Sequence, residues 1–287
     1  MKKILYLMLA MFCLAACKKD ETKVNGPSDI SNVSAKPIVG GAVIKWTLPK
    51  DSNFLYLEVR YEKKGKIVTT NVSKYTDSLV IDGLLNKYQY KFEVQAFNAT
   101  KTDKVGGAIL TTNTVTPIRR GINTVYSKIP VTNSMIDTYT QETTEGPKSN
   151  LVDGDKATYW HSAWSANVQP LPHWITIAFP TETELSQIRY YFRQNTTLTG
   201  RPTQFGLDTS TDGVNYTRVW TSASGLPVGT GVVTTENILQ LDKSYKSKYF
   251  KVLILAASGN PTFTTLGDMS FYTAILTDLE LAAEQNY

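Results

Sequence analysis

The 287-residue chain has only two cysteines and two histidines, and this scarcity excludes several kinds of chemistry. Both cysteines, Cys13 and Cys17, lie within or at the end of an apolar leader, so we expect no disulfide, thiol nucleophile or cysteine metal site in the mature fold. Two histidines, His161 and His173, are too few for a multi-histidine zinc centre. The sequence also lacks a nucleophile-elbow motif for Ser/His/Asp catalysis.

The chain has little excess charge of either sign. Its formal net charge of +5 falls to +3 once Lys2 and Lys3 leave with the leader. This excess is too small to indicate binding to nucleic acid. The length is sufficient for two ordinary domains.

Residues 1–17 have the pattern of a signal peptide, with two lysines before an apolar run too short to span a bilayer comfortably. The run ends in "LAAC", which resembles the lipobox of bacterial lipoproteins and implies lipidation of Cys17. Two or more acyl chains hold a protein firmly at a membrane, because each buried CH₂ contributes about 0.8 kcal/mol. An ordinary signal peptide with a chance cysteine is the alternative.

Residues 18–28 begin with the charged run "KKDETK", which is most simply a solvated tether. The run also resembles the acidic surface-export signal of lipoproteins in the Bacteroidetes group, although two lysines precede its acids. The resemblance implies a lipid-anchored protein of the outer membrane that faces the cell exterior.

Residues 29–117 alternate apolar and polar side chains in short runs, which predicts β-strands. In "AVIKWTL" and "YQYKFEVQAFN", every second residue is apolar, as a half-buried strand requires. The segment resembles a fibronectin type III module, because Trp46 lies in an early strand and Leu84 lies six residues before Tyr90, as in that family's tyrosine corner. We expect both aromatic residues in the core and a spacer role for the module.

Residues 118–134 are polar and predict a linker. In residues 135–287 the strand patterns resume in "HWITIAF", "LSQIRYYF", "TQFGLDTS" and "KYFKVLIL", with only a weak helical pattern in the tail "TDLELAAEQN". The predicted fold class is therefore all-β, with two β-sandwich domains.

Five motifs between residues 149 and 272 occur in a set order: "LVDGDKATYWHS", "HWITIAF", "IRYYFRQN", "TSTDGVNYTRV" and "KYFKVLI". This order resembles the discoidin, or coagulation factor 5/8 type C, family, which includes the family 32 carbohydrate-binding modules. The resemblance implies a jelly-roll sandwich with its binding loops at one end. We expect Trp160 and Trp174 to lie in its core.

The motif "DGDKAT" presents the oxygen ligands of Asp153, Asp155 and Thr158 around a glycine turn, a set that suits Ca²⁺. The resemblance implies a structural calcium there, completed by an acidic residue before the final strand. Asp268 holds that place, where the family more often has Glu. The alternative is that the aspartates merely cap a turn.

Candidate ligand contacts lie just beyond these structural motifs. Trp164 follows in a Ser/Ala/Asn/Pro-rich loop, where an exposed indole offers a flat apolar face to a sugar ring. His161 and Arg193 are its candidate polar partners, with Asn195 opening the next loop and Phe263 on a late one. Arg193 could instead only brace its loop, and His161 could be a partly buried donor.

Glycoside hydrolysis requires two carboxylates about 5–9.5 Å apart across a cleft. Asp153 and Asp155 share one short loop and, around one cation, would both be stabilised as charged groups. We therefore expect no catalysis. The lipobox-like leader and the resemblance to carbohydrate-binding modules imply a surface lipoprotein that binds a glycan or oligosaccharide, alongside neighbouring surface proteins of glycan uptake. The alternatives are an adhesion or assembly module that binds a protein partner, and a purely structural spacer.

Overall fold

The computed structural model describes residues 25–51, 53–99 and 103–287. The predicted signal peptide, Cys17 and most of the predicted tether lie outside these ranges. Contacts divide the chain into unit 1, which comprises the residues up to Ile122 together with Asp278–Tyr287, and unit 2, Asn123–Thr277. No helix in the described ranges is long and apolar enough to cross a membrane.

Unit 1 is a β-sandwich of two antiparallel sheets, with strand orders β1-β2-β5 and β4-β3-β6-β7. Its strands are β1 (Ser31–Ile38), β2 (Gly41–Thr47), β3 (Tyr56–Lys63), β4 (Lys66–Ser73), β5 (Ser78–Asp82), β6 (Phe92–Ala99) and β7 (Lys104–Thr111). Alternate residues of each inner strand are buried, as Ile44 and Trp46 are in β2. The apolar faces of the two sheets meet in one core.

Trp46 and Tyr90 both lie in this core, as predicted. The Trp46 indole donates a hydrogen bond to the carbonyl of Thr76 (2.8 Å), and the Leu85 N–H donates to the Tyr90 hydroxyl (3.1 Å). The second bond is the one that a tyrosine corner makes. The assignment to fibronectin type III remains a prediction.

The last residues of the chain form α1 (Leu279–Gln285), which belongs to unit 1. The Asp278 side chain caps this helix by accepting hydrogen bonds from the N–H groups of Glu280 and Leu281. The helical pattern of the tail is thus confirmed. Its position differs from the sequence prediction, which placed all of residues 135–287 in the second domain.

The remaining strands lie in unit 2, apart from the first residue of β8 and the last residue of β16. They are β8 (Ile122–Ile129), β9 (Ile136–Thr138), β10 (Trp160–His161), β11 (His173–Tyr190), β12 (Pro202–Ser210), β13 (Thr217–Thr221), β14 (Asn237–Ala257), β15 (Thr265–Leu266) and β16 (Met269–Asp278). Most of them join in the order β13-β12-β14-β11-β16-β8, with β9 beside β11. Strand β8 occupies much of residues 118–134, which the sequence predicted as a linker.

The long strands β11 and β14 turn this sheet into a sandwich. Their pairing is interrupted between Ala178 and Thr183. Before the interruption β11 pairs with β9, and after it with β16. Each long strand therefore contributes to both layers, and the layers enclose one apolar core. The all-β fold class is confirmed.

Trp160 and Trp174, which were both predicted to lie in the core, differ in burial. Trp160 is fully buried, as predicted, but the prediction that Trp174 is core is wrong. His173 and Ile175 face the interior, so Trp174 points to the other side of the strand. There it stacks on Tyr139, with ring centroids 3.6 Å apart.

Candidate functional site

A short pairing of β10 with β15 brings distant loops together at one end of unit 2, which we call the loop end. It continues beyond the strands, because the Ser162 N–H donates to the Thr264 carbonyl (3.0 Å) and the Thr264 N–H donates to the Ser162 hydroxyl (2.9 Å). The segment that leads to Trp164 therefore lies beside the segment that follows Phe263. Two predicted ligand residues are brought to the same surface.

Residues 142–146 lie against the same β10 segment. The Glu142 N–H donates to the His161 carbonyl, and the His161 N–H donates to the Gly146 carbonyl, both at 3.0 Å. Gly146 has a φ of 60°, and a Cβ there would lie 2.6 Å from the His161 nitrogen. Glycine is therefore required for this close approach, which places Glu142 and Glu145 at the loop end.

The Glu145 carboxylate lies at the centre of the candidate site. One oxygen accepts a hydrogen bond from the Trp164 indole N–H (3.0 Å). The other accepts from the Tyr159 hydroxyl (2.5 Å) and lies 3.6 Å from the Arg193 guanidinium. The Tyr159 hydrogen bond, helped by Trp164 and Arg193 against the opposing effect of burial, lowers the pKa of Glu145. Glu145 is therefore a charged acceptor that orients three side chains.

Trp164 is 50% exposed and is held at the edge of its ring by Glu145, so its ring face is open to a ligand. His161 is only 5% exposed, and its Nδ1 lies 2.7 Å from the Ser162 carbonyl, which makes Nδ1 the donor. The His161 ring lies 5.0 Å from the Phe263 ring and 6.3 Å from the Trp164 ring. The structure thus favours the buried-donor alternative for His161.

Arg193 and Asn195 occupy the next loop. The Arg193 guanidinium stacks on Tyr159, 3.6 Å from the ring centroid, and remains partly exposed. Asn195 uses its backbone carbonyl to accept from Arg201 (2.8 Å), and its side-chain oxygen is buried without a hydrogen-bond partner in the described chain. Arg193 therefore braces its loop and also faces the site.

Glu142 fixes the main chain around Trp164. Its carboxylate accepts from the N–H groups of Trp164 and Ser165 (both 3.0 Å) and from the Ser165 hydroxyl (2.8 Å). The backbone donor of Trp164, followed by those of Ser165, lowers the pKa of Glu142 to about 2. Sequence reasoning missed Glu142 and Glu145, because nothing local in "QETTEG" indicates that they meet Trp164.

Arg201 links the loop of Asn195 to a second loop by hydrogen bonds. Sequence reasoning missed this residue as well. It is fully buried and donates to the carbonyls of Asn195 (2.8 Å), Val228 (2.7 Å) and Gly231 (2.7 Å). It forms no ion pair with an acid in the described chain, and burial lowers its pKa. Three main-chain carbonyls at the loop end are therefore bound by one buried cation, whose Nε has no hydrogen-bond partner in the described chain.

The predicted calcium loop is rich in oxygen atoms. The Thr158 hydroxyl lies 2.9 Å from Asp153 Oδ2, 2.9 Å from the Asp155 carbonyl and 3.5 Å from the Asn150 carbonyl. One hydroxyl proton can satisfy only one of these three acceptors. The cluster therefore has the hard oxygen donors that suit Ca²⁺.

The carboxylates of this loop do not form a dense acidic cluster. Asp268 is buried and accepts from the Gly154 N–H (3.0 Å). Burial, with repulsion from Asp153 among the smaller effects, raises the pKa of Asp268. No three His, Cys, Asp or Glu residues in the described ranges form a group that could hold a metal. A calcium ion here would depend on carbonyl and hydroxyl oxygens as well as on carboxylates.

The arrangement is suited to holding a ligand. Glu142 and Glu145 both have lowered pKa values, so near neutral pH they accept hydrogen bonds and do not donate protons. The exposed groups are an indole face, a partly exposed phenyl ring and a guanidinium. Such a set combines apolar contact with hydrogen bonding.

Similar solved structures include three modules from Clostridium perfringens. CpGH89CBM32-5, in complex with GalNAc-β-1,3-galactose, is 20% identical, with 48% of this chain and 94% of that chain covered and a TM-score of 0.41. CBM32-3 from a family 31 glycoside hydrolase is 28% identical (50% and 93% covered, TM-score 0.42). The family 32 module of NanJ, in complex with galactose, is 20% identical (52% and 100% covered, TM-score 0.41).

Two family profiles match separate parts of the chain. Residues 27–113 match DUF4959, a domain of unknown function. Residues 134–266 match the F5/8 type C domain. The sandwich with the candidate site is therefore an F5/8 type C, discoidin-like domain.

Proposed function

We propose that the protein is a non-catalytic glycan-binding protein and that its F5/8 type C domain holds a saccharide at the loop end. The main support is the exposed face of Trp164, whose indole nitrogen is fixed by Glu145. The C–H face of a sugar ring can stack on the indole, while Arg193 donates to its hydroxyls and Phe263 provides a second apolar contact. Because Glu142 and Glu145 fix Trp164, and Glu145 also pairs with Arg193, these two residues need little ordering when the ligand binds.

A glycan array followed by calorimetry on the best ligand tests this function. Galactose and GalNAc-β-1,3-galactose, the sugars in two of the similar structures, are the first soluble probes. We expect Trp164→Ala to weaken binding about 30-fold, which corresponds to a hot-spot contribution of about 2 kcal/mol. Trp174→Ala, which removes another partly exposed tryptophan from the same domain, is the matched control and should retain affinity.

Two results would contradict the proposal: no glycan binds, or Trp164→Ala binds as tightly as the unaltered protein. Capture of a specific surface protein by unit 2, unaffected by free sugars, would support the adhesion alternative instead.

We also propose a structural Ca²⁺ in the loop of Asp153, Asp155 and Thr158, with Asp268 beside it. The oxygen atoms around the Thr158 hydroxyl support this site. If the ion binds the native state, added Ca²⁺ should raise the melting temperature of the protein, and a chelator should reverse the rise. Asp153→Asn should remove the calcium response, and an unchanged response would contradict the assignment.

The proposed location is the outer membrane, with the protein anchored by lipid at Cys17 and facing the exterior next to other proteins of glycan uptake. Support comes from the signal-peptide pattern of residues 1–17 and the lipobox-like "LAAC". Labelled fatty acid should enter the protein and fail to enter Cys17→Ser. Protease added to intact cells should digest the protein, and complete protection would exclude an exterior position.

A further inference from the structure

Unit 1 contains a pocket of about 610 Å³ that the loop-end site does not use. It lies where the turn between β3 and β4, the segment before β6 and the last residue of the chain meet. Its lining includes Tyr61, Glu62, Lys64, Tyr88, Lys91 and Tyr287. Its volume falls in the range of about 300–1,000 Å³ that is usual for ligand pockets.

A tight turn holds one wall of this pocket. The β3–β4 pairing ends at Lys63 opposite Lys66, so Lys64 and Gly65 alone form the turn. Both have positive φ values, 53° and 70°, as a two-residue type I′ hairpin requires. The amino groups of Lys63 and Lys64 lie 4.7 and 5.1 Å from the centre of the Tyr287 ring. The turn thus fixes cationic groups next to an aromatic surface.

Three of the four tyrosines that line the pocket, Tyr88, Tyr90 and Tyr287, pack together as an aromatic wall. The Tyr287 hydroxyl bonds with the Tyr90 hydroxyl (2.8 Å), which also accepts from the Leu85 N–H (3.1 Å). Tyr88 packs on Tyr287 with ring centroids 5.7 Å apart and is 47% exposed. The hydroxyls of Tyr90 and Tyr287 are therefore engaged within the protein, while part of the Tyr88 ring is open to a ligand.

The polar groups of the pocket divide into paired and free ones. Arg60 is engaged by the Gln95 side chain (2.8 Å) and by Glu93 (3.6 Å). In the described part of the chain, Glu62, Lys64 and Lys91 form no ion pair. The pocket therefore offers Glu62 as an open acceptor and Lys91 as an open donor beside an exposed aromatic ring, and the Lys64 amino group, which lies against Tyr287, is a further donor.

We propose that this pocket is a second saccharide-binding site, independent of the loop-end site. A sugar has an apolar C–H face that can stack on Tyr88 and a hydroxyl edge that can bond with Glu62, Lys64 and Lys91. A lipid chain or an apolar peptide would need aliphatic contacts, and among the described residues that line the pocket only Ile67 has an aliphatic side chain. With two sites, one chain can hold a long glycan at two points, which raises its effective affinity.

The test compares four forms of the full protein on one glycan array: unaltered, Trp164→Ala, Tyr88→Ala and the double variant. Tyr75→Ala is the matched control, because Tyr75 is an 81% exposed tyrosine of the same unit and lies outside the pocket. Circular dichroism checks folding, and Lys91→Met provides a second test of the pocket if Tyr88→Ala does not fold. We expect Trp164→Ala to retain some glycan signals, which then fall at least about tenfold when Tyr88→Ala is added, a loss of about 1.4 kcal/mol.

The outcomes separate the two sites. If Trp164→Ala loses every glycan signal, the loop-end function stands and the second site is wrong. If signals survive both in Trp164→Ala and in the double variant, the second site is also wrong. If Trp164→Ala changes nothing and Tyr88→Ala alone removes binding, the second site stands and the loop-end proposal fails. The absence of any glycan signal for the unaltered protein overturns both.

Discussion

Two glutamates, one in each unit, face an arginine and have lowered pKa values, yet they perform different tasks. Glu280 is 3% exposed and accepts from the backbone N–H of Asn86 (2.8 Å) and from both the backbone and the guanidinium of Arg120. Burial acts to raise its pKa, but these hydrogen bonds outweigh the effect. Glu145 instead accepts from the side chains of Tyr159 and Trp164 at a surface that is partly open.

The difference lies in what each carboxylate holds in place. Because Glu280 bonds to main-chain groups and a largely buried guanidinium, it joins α1 to the rest of unit 1, and removing it leaves buried donors without partners. Glu145 orients side chains, so removing it should leave the fold intact and loosen the surface that a ligand meets.

The largest effect is expected at Glu280. Glu280→Ala removes the acceptor of two backbone N–H groups and one guanidinium. It should destabilise unit 1 by about 3 kcal/mol, which is the lower end of the range for breaking a buried ion pair. Amide hydrogen exchange, which resolves the units, should show faster exchange for Asn86 and for α1.

The matched control is Glu284→Gln, also on α1. Glu284 pairs with Lys87 at an exposed position (3.0 Å), so its loss should have no measurable effect. Equal responses of the two variants would show that Glu280 does not hold α1 in the way that its contacts indicate.

Arg201 should be the most sensitive buried charge in unit 2. Arg201→Met keeps much of the apolar volume but leaves the carbonyls of Asn195, Val228 and Gly231 without their donor. The expected loss is about 2 kcal/mol of unfolding free energy, less than for Glu280 because no opposite charge is left buried. Urea unfolding measures it, and Lys246→Met, at an exposed position, is the control. An unchanged midpoint for Arg201→Met would contradict a scaffold role.

Glu145→Gln should separate binding from stability. The amide keeps the shape of the carboxylate but loses its charge. The hydrogen bonds with Trp164 and Tyr159 and the ion pair with Arg193 should therefore weaken. We expect about a fivefold loss of glycan affinity, near 1 kcal/mol, with an unfolding midpoint like that of the unaltered protein. Calorimetry and urea unfolding measure the two quantities. A large loss of stability would show that Glu145 acts as Glu280 does.

The sequence predicted those features whose physical cause is local. Strand alternation placed Trp46 and Tyr90 correctly, because every second residue of a strand shares a face. The same rule applied to "HWITIAF" places Trp174 on the face opposite His173 and Ile175, so the prediction of a core position was wrong. Glu280 and Asn86 lie 194 residues apart, so no local pattern links them. Glu145 depends in the same way on loops that only the folded sandwich brings together.

The smallest effect at neutral pH is expected at Glu142. Its pKa is lowered from an ordinary 4.5 to about 2, so its contribution to stability is fully present above about pH 4.5 and is lost as the pH falls towards 2. The amide proton shifts of Trp164 and Ser165, its two backbone donors, should therefore be constant from pH 8 to about 5 and titrate only near the lowered pKa. In Glu142→Gln they should not follow this titration. If these amides titrate in the unaltered protein near 4.5, the carboxylate is not held as the hydrogen bonds indicate, and the main chain at Trp164 is less ordered than a preformed binding surface requires.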